Sequence, residues 1–293
     1  MTTSPSRVGD TIHERPSIRR LVLASVLGNA LEWYDFFLYG LAAPLVFNVL
    51  FFPEGTDPVV GTLGAFAGFA LGFLARPIGG IVFAHFGDRH GRKNILLATL
   101  VLMGATTFLM GLLPSYDQVG IWAPTLLVVL RVFQGIATGG EWGGAVLIVT
   151  ENTSRRRHGF FASFGQAGLS AGFLLASSVF LAVQTLLPGE RFMTWGWRIP
   201  FMLSLVVFAV GFWIRARIPE SAEFDKVKKA ARKQRLPLLR TLRTQPRQVL
   251  TAMGLRVAEN GGSYIFVSFS LAYAKIAGLD PGAVQLGLIL SFV

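Results

Sequence analysis

The chain is divided into apolar runs about as long as a membrane helix, and this repetition constrains its fold more than any other feature. The runs fall at about 21–50, 60–83, 94–113, 124–149, 159–186, 199–217, 249–273 and 284–293. About 20 apolar residues cross the hydrocarbon core of a bilayer as a helix. Hydrophobic residues make up 52% of the chain and charged residues 15%. We therefore predict an all-α polytopic membrane protein.

The basic residues alternate between the gaps. One set of gaps (1–20, 84–94, 151–158 and 215–248) holds 21 Lys and Arg, whereas the other set holds 3. By the positive-inside rule, the N-terminus and the long basic gap are cytoplasmic, as expected for an inner-membrane, multi-pass protein. The formal charge of +11 therefore reflects topology. It does not form the basic face with interleaved aromatics that nucleic acid requires, so we expect no nucleic-acid partner.

Six spans precede the long basic gap and two follow it. We predict a cytoplasmic tail at 1–18, a six-helix bundle at 19–217, a cytoplasmic loop at 218–248 and the start of a second bundle at 249–293. Because the eighth run stops at the last residue, we interpret the chain as a fragment or a truncated product. Within the loop, Phe224, Val227 and Ala231 recur at helical spacing, which fits either a short amphipathic helix or a solvated basic linker.

Two carboxylates, Glu32 and Asp35, interrupt the first apolar run. Each costs about 2.5–3.5 kcal/mol near the centre of a membrane helix, so a function is expected to justify them. At 100° per residue, Gly28, Glu32, Asp35 and Tyr39 lie within a stripe about 60° wide. They share one helical face.

Three other spans carry similar polar stripes, and together the four stripes predict a water-accessible central cavity. The stripes are Arg131, Gln134, Thr138 and Glu141 in span four; Ser163, Gln166 and Ser170 in span five; and Arg256, Glu259, Asn260, Ser263 and Tyr264 in span seven.

Arg131 has two possible roles. Its planar guanidinium can bind the carboxylate of an anionic metabolite, or it can neutralise a neighbouring acid in a static pair that fixes helix packing. Proton loading is expected at Asp35 or Glu32 ahead of Glu141, which lies between glycine pairs and fits a packing role equally well.

Other chemistry has little support in the sequence. The chain has no cysteine, and its four histidines lie in the predicted cytoplasmic segments. We therefore expect no metal and no cofactor. A membrane-embedded enzyme that uses Glu32, Asp35 and Glu141 as acid and base remains an alternative, although it lacks a nucleophile or metal set.

Aromatic and small residues predict how the spans pack. Trp122, Trp195 and Trp197 fit an interfacial belt. Gly61, Gly64, Gly68 and Gly72 form a face on span two that lets another helix approach closely.

Several motifs resemble those of a known superfamily. The charged turn AHFGDRHGRK between spans two and three, RVFQGIATGG in span four and RIPESAEF after span six resemble signatures of the major facilitator superfamily. GNALEWYDFFLYG, ARPIGGIVFAHFGDRHGRK and GGEWGGA narrow the resemblance to the metabolite:proton symporter family. That family includes carriers of shikimate, oxoglutarate, citrate, and proline or betaine, and FFPEGTDPVVGTLGAFAGFALGFLARPIGG is similar to the shikimate-like branch.

The resemblance implies a major facilitator fold and proton-coupled uptake of a small organic acid or zwitterion by alternating access, with the proton gradient as the energy source and the lipid bilayer as surroundings. It implies a gate at the charged turn, formed by Asp88, Arg89, Gly91, Arg92 and Lys93. These cations also fit simple anchoring by the positive-inside rule. A transport-inactive half-carrier is the main alternative to a transporter.

Overall fold

The computed structural model of the protein describes residues 18–90, 92–151, 158–216 and 243–291. Within these ranges the regular structure is helical throughout. Eight long helical segments follow one another: α1 (Ile18–Ala42, a π-helical turn Ala43–Phe47, then Asn48–Leu50), α2 (Pro58–His90), α3 (Arg92–Gly111), α4 (Trp122–Glu151), α5 (His158–Leu186), α6 (a π-helical turn Phe192–Gly196, then Arg198–Ala216), α7 (Pro246–Tyr264, a π-helical turn Ile265–Phe269, then Ser270–Ile276) and α8 (Pro281–Ser291).

Six of these helices are long and apolar enough to cross a membrane, and they fall where the sequence predicts the first six spans. The apolar parts of α7 and α8 are shorter, at Ile265–Ile276 and Pro281–Ser291. The all-α, polytopic fold class is therefore confirmed.

The six spans pack in three close pairs: α1 with α5, α2 with α4, and α3 with α6. Glycine permits the closest of these contacts. A Cβ on Gly135 of α4 would collide with the Gly72 carbonyl of α2, and one on Gly79 would collide with the Ile136 carbonyl. The α2 and α4 backbones therefore touch, which only small residues allow.

The predicted glycine face of α2 is confirmed as a close-packing surface. Gly72 lies against Arg131 of α4, and Gly68 lies between Tyr39 and Val128. Gly61 and Gly64 pack instead on the end of α1 and the residues that follow it. One face of α2 thus fits against both α1 and α4.

An aromatic core fills the space between the spans, and it corrects one prediction. Trp122 and Trp195 are 63% and 56% exposed, as an interfacial belt requires, but Trp197 is fully buried against Phe47, Phe51 and Phe201. Side chains two residues apart on a helix point about 200° from each other, so Trp195 and Trp197 cannot both face lipid.

The charged turn between spans two and three is shorter than predicted. Helix α2 continues to His90 and α3 begins at Arg92, so Gly87 lies within a helix and not in the turn. Gly91 lies outside the described residues, as do the side chains of Asp88, Arg89, Arg92 and Lys93. The predicted amphipathic helix at 224–231 also lies outside them.

Helices α7 and α8 rest on the first six. The Lys275 ammonium on α7 donates to the Pro44 carbonyl of α1 at 2.9 Å and to Asn48 Oδ1 at 3.3 Å. The Gln285 amide of α8 donates to the Ser177 carbonyl of α5 at 2.9 Å. Polar contacts therefore join α7 and α8 to the first six helices.

Candidate functional site

A small polar cavity lies where α1, α2 and α4 meet. Its volume is about 10 Å³, the minimum that holds one water molecule. Ten residues line it: Glu32, Asp35 and Phe36 of α1; Gly72, Phe73 and Arg76 of α2; and Arg131, Gln134, Gly135 and Thr138 of α4.

Asp35 is a buried acid of the cavity whose two oxygens both accept hydrogen bonds. It is 3% exposed, and each of its oxygens accepts a hydrogen bond: Oδ1 from the Thr107 hydroxyl of α3 and Oδ2 from the Gln134 amide of α4. The Gln134 amide nitrogen also donates to Thr107 Oγ1 at 3.0 Å. Two neighbouring helices therefore donate to the carboxylate, so each oxygen of this buried group has a hydrogen-bond partner.

Arg131 joins the same network from the other side of Gln134. Its Nη1 donates to Gln134 Oε1, so the amide bridges the guanidinium and the Asp35 carboxylate. The guanidinium carbon lies 4.3 Å from the ring centre of Tyr39 and 4.4 Å from that of Phe69. Stacking on aromatic faces stabilises a buried arginine without using all its donors.

The residues of the predicted α1 stripe are all buried, and two of them line the cavity. Glu32 lines the cavity beside Asp35 and is 6% exposed. Tyr39 lies one step away: its hydroxyl donates to the Ala65 carbonyl at 3.0 Å, and its ring supports Arg131. Tyr39 is therefore a supporting residue, whereas Glu32 and Asp35 face the cavity.

The charges at the cavity are balanced. Two carboxylates, Glu32 and Asp35, share it with two guanidiniums, those of Arg131 and Arg76. The Arg76 guanidinium lies 4.2 Å from the ring centre of Phe73, which also lines the cavity. Because the set is neutral when all four are ionised, adding either a proton or an anion changes the electrostatic balance of the site.

Comparison with known proteins identifies the family. A family model described as "Sugar (and other) transporter" matches residues 21–253. The chain belongs to this family of the major facilitator superfamily.

Curated relatives of this transporter-family chain are membrane carriers. It is 45% identical over 258 residues to the shikimate transporter of Escherichia coli K12, covering 87% of this chain and 59% of the relative. It is 38% identical over 272 residues to the proline/betaine transporter of the same strain, covering 90% and 54%. The chain thus spans a little over half the length of these relatives.

Solved structures show the same fold. The D-xylose–proton symporter matches with a TM-score of 0.68 at 18% identity, over 94% of this chain and 66% of that one. The xylose transporter XylE from E. coli, in a partially occluded inward-open conformation, matches at 0.69 and 17%, over 94% and 70%. These likenesses establish the major facilitator fold, and the relatives are transporters, not enzymes.

In this transporter-family chain three residues of the predicted polar stripe of α4 lie at the cavity. Arg131, Gln134 and Thr138 line the cavity. Ser163 of α5 is exposed and its hydroxyl donates to the Phe160 carbonyl at 2.7 Å. The side chains of Glu141, Gln166, Glu259 and Asn260 lie outside the described part of the chain, so their roles stay predictions.

Two site residues are absent from the sequence prediction. Arg76 is a charge within span two, so the insertion-cost argument applied to Glu32 would also have found it. Thr107 gave no such signal, because a threonine inside an apolar helix usually bonds to its own backbone, as Thr106 does here.

Proposed function

We propose that the protein is a secondary transporter that couples proton entry to the uptake of a small organic acid or zwitterion by alternating access. The observation that carries this proposal is the buried Asp35, held between Thr107 and Gln134 with Arg131 bonded to the other end of the same amide. A buried cation stabilises the ionised form of an acid in its network. When the cation turns to another partner, such as a substrate carboxylate, the acid can take up a proton, and it releases the proton when the cation returns.

The size of the cavity supports alternating access. At about 10 Å³ it holds about one water and no metabolite. Substrate must therefore enter through movement of the helices that enclose it. In this structure the helices are closed around Asp35.

The charges of the cavity support an anionic or zwitterionic substrate. Arg131 and Arg76 both reach the cavity, and a guanidinium binds a carboxylate through two parallel hydrogen bonds. The names of the relatives agree with this class, since shikimate, proline and betaine each carry a carboxylate. Shikimate is the first compound to test.

We assign the N-terminus and the segment 218–248 to the cytoplasm of an inner membrane, because the basic residues concentrate on that side. Asp88, near the end of α2, and Lys93, near the start of α3, then lie on the cytoplasmic side. No cofactor is required, because the proton gradient supplies the energy.

The test is uptake of labelled shikimate, oxoglutarate, citrate, proline and betaine by energised vesicles that contain the full gene product. We expect one of these compounds to accumulate, and a protonophore to abolish the accumulation. Accumulation that persists after the gradient collapses would rule out proton coupling. Absence of any gradient-driven uptake across the set would rule out the proposed substrate class.

A further inference from the structure

We propose that Thr107 is a two-way partner of Asp35, so that its hydroxyl satisfies the carboxylate when it is ionised and the carboxylic acid when it is protonated. The proposal rests on the proposed function, because it concerns the same proton-carrying site. It assigns the proton to one oxygen, Asp35 Oδ1.

The Thr107 hydroxyl has two acceptors within reach and one proton to donate. Its Oγ1 lies within hydrogen-bond distance of Asp35 Oδ1 and also 2.9 Å from the Met103 carbonyl on its own helix. A hydroxyl has one proton, so it can donate to only one of these acceptors at a time. The Thr107 oxygen also has two lone pairs: the Gln134 amide, which donates to it at 3.0 Å, uses one, and the other can accept from a protonated Asp35.

The two protonation states use that choice differently. With Asp35 ionised, the Thr107 proton points at Oδ1. When Oδ1 takes a proton from water on the outer side, the new O–H donates to Thr107 Oγ1, and the Thr107 proton turns to the Met103 carbonyl. When the proton leaves to cytoplasmic water, the hydroxyl turns back. Neither state requires more than rotation of one hydroxyl.

Gln134 cannot do the same for the other oxygen. Its Nε2 points at Oδ2 and has no lone pair to accept a proton, because an amide nitrogen only donates. A proton on Oδ2 would therefore point at a group that can only donate, and it would have no acceptor there. The proton is favoured on Oδ1, where Thr107 can accept.

Three charged groups line the cavity with Asp35, one from its own helix and two from neighbouring helices. Glu32 lies on the same helix, Arg76 on α2 and Arg131 on α4. Helix α3 contributes the neutral Thr107 hydroxyl. A substitution at Thr107 thus changes the hydrogen bonding of Asp35 and leaves these charges in place.

The neighbouring threonine supplies a matched control. Thr106 is 3% exposed and Thr107 is fully buried, but the acceptors within reach of the Thr106 hydroxyl are the backbone carbonyls of Leu102 and Met103, at 2.8 and 2.9 Å. Thr106→Val and Thr107→Val remove the same atoms from adjacent positions of one helix. Only the second touches Asp35.

The experiment measures shikimate uptake against external pH in cells that express the full gene product. Four proteins are compared: the wild type, Thr107→Val, Thr107→Ser and Thr106→Val. Thr107→Ala replaces Thr107→Val if the valine variant does not insert into the membrane. A hydrogen bond to an ionised group is stronger than one to a neutral group, so losing Thr107 disfavours the ionised state more. We expect the pH of half-maximal uptake to rise by about 0.5–1 unit in Thr107→Val. Thr107→Ser should restore the wild-type value and Thr106→Val should leave it unchanged.

An unchanged pH midpoint in Thr107→Val, or a shift in Thr107→Ser as large as that in Thr107→Val, would overturn the role of Thr107 and leave proton symport intact. A shift in Thr106→Val equal to that in Thr107→Val would also overturn it, because the effect would then be structural. Wild-type uptake that does not depend on the proton gradient would instead overturn the proposed function itself. If shikimate is not carried, the accumulated compound from the vesicle screen serves as the probe.

Discussion

Single residues at the cavity differ in how replaceable they are. Asp35 has a donor on each oxygen, and Arg131 combines one amide contact with two aromatic rings. Removing one partner of a buried polar pair leaves the other unsatisfied, which costs about 1–3 kcal/mol. Substitutions that keep the shape and change only charge or hydrogen bonding are therefore the informative ones.

Asp35→Asn should separate binding from proton coupling. The Asn oxygen can accept from Gln134 while its amide nitrogen donates to Thr107, so the variant imitates permanently protonated Asp35. We expect gradient-driven accumulation to fall to background while exchange of labelled for unlabelled substrate persists. Both are measured in the same vesicles.

Asp57→Asn is the control for this variant. Asp57 is exposed and its Oδ1 accepts from the Val59 amide at the start of α2, a capping role that asparagine fills equally well. It should accumulate substrate like the wild type. Full accumulation by Asp35→Asn would show that Asp35 does not carry the proton.

Arg131→Lys should weaken substrate binding. Lysine keeps the charge, but it loses the planar stacking on Tyr39 and Phe69 and the fork that holds a carboxylate in two places. We expect the KM for substrate to rise about tenfold, which corresponds to about 1.4 kcal/mol. Initial uptake rates over a range of substrate concentrations measure it.

A second stacked arginine provides the comparison. Arg198 lies 4.4 Å from the ring centre of Trp197 and donates to the carbonyls of Thr194 and Leu113, outside the cavity. Arg198→Lys should lower thermal stability and leave KM unchanged. An equal KM for Arg131→Lys and the wild type would exclude Arg131 from the substrate site.

At the scale of elements, contact between α2 and α4 depends on the absence of side chains. Gly79 and Gly135 allow carbonyl groups of the partner helix to occupy the space where a Cβ would lie. Since Gly72, Gly135 and Arg131 also line the cavity, the same close approach brings Arg76 of α2 and the polar stripe of α4 close to Asp35.

Gly79→Ala should loosen this helix pair. Its Cβ would collide with the Ile136 carbonyl, which is backbone and cannot rotate away. Overpacking of this kind costs about 1–3 kcal/mol. We expect a melting temperature several degrees lower in detergent, followed by loss of the monodisperse peak on size-exclusion chromatography.

Gly254→Ala tests whether any added methyl group would have the same effect. Gly254 lies in α7, and among the described residues no atom comes within 4 Å of its added Cβ. Its melting temperature should equal or slightly exceed that of the wild type. Equal melting temperatures for the two variants would show that the close contact of α2 and α4 at Gly79 does not contribute to stability.

The sequence predicts elements better than it predicts their rotation or their ends. Hydropathy places the six spans, because a bilayer permits only long apolar helices. The i, i+3, i+7 spacing of Arg131, Gln134 and Thr138 predicts that they share a face. Trp197 and Gly87 were misplaced because a tryptophan can enter an aromatic core and a helix can run on past a glycine. Thr107 was missed because its partner lies on another helix.

At the scale of the whole molecule, one cation ties the two helical groups together. Lys275 of α7 bonds Pro44 and Asn48 of α1, and Asn48 in turn donates to Thr62 Oγ1 of α2 at 3.3 Å. Nearby, Ser268 of α7 packs against Gly40 of α1. In the orientation proposed above, this end of the bundle faces outward. A closed outer side is what alternating access requires while the site opens inward.

Lys275→Met should therefore make the outer side open more often. Methionine keeps the length and apolar character of the stem and removes the three donors, so the Pro44 and Asn48 oxygens lose a partner.

The chain has no cysteine, so Ser268→Cys introduces a thiol at a position that is 3% exposed and whose hydroxyl has no hydrogen-bond partner among the described residues. We expect a membrane-impermeant maleimide added outside to label Cys-substituted Lys275→Met several times faster than Cys-substituted wild type. Lys275→Arg keeps a donor at this position and should label at nearly the wild-type rate. Equal rates in all three proteins would mean that Lys275 does not hold the outer ends of α1 and α7 together.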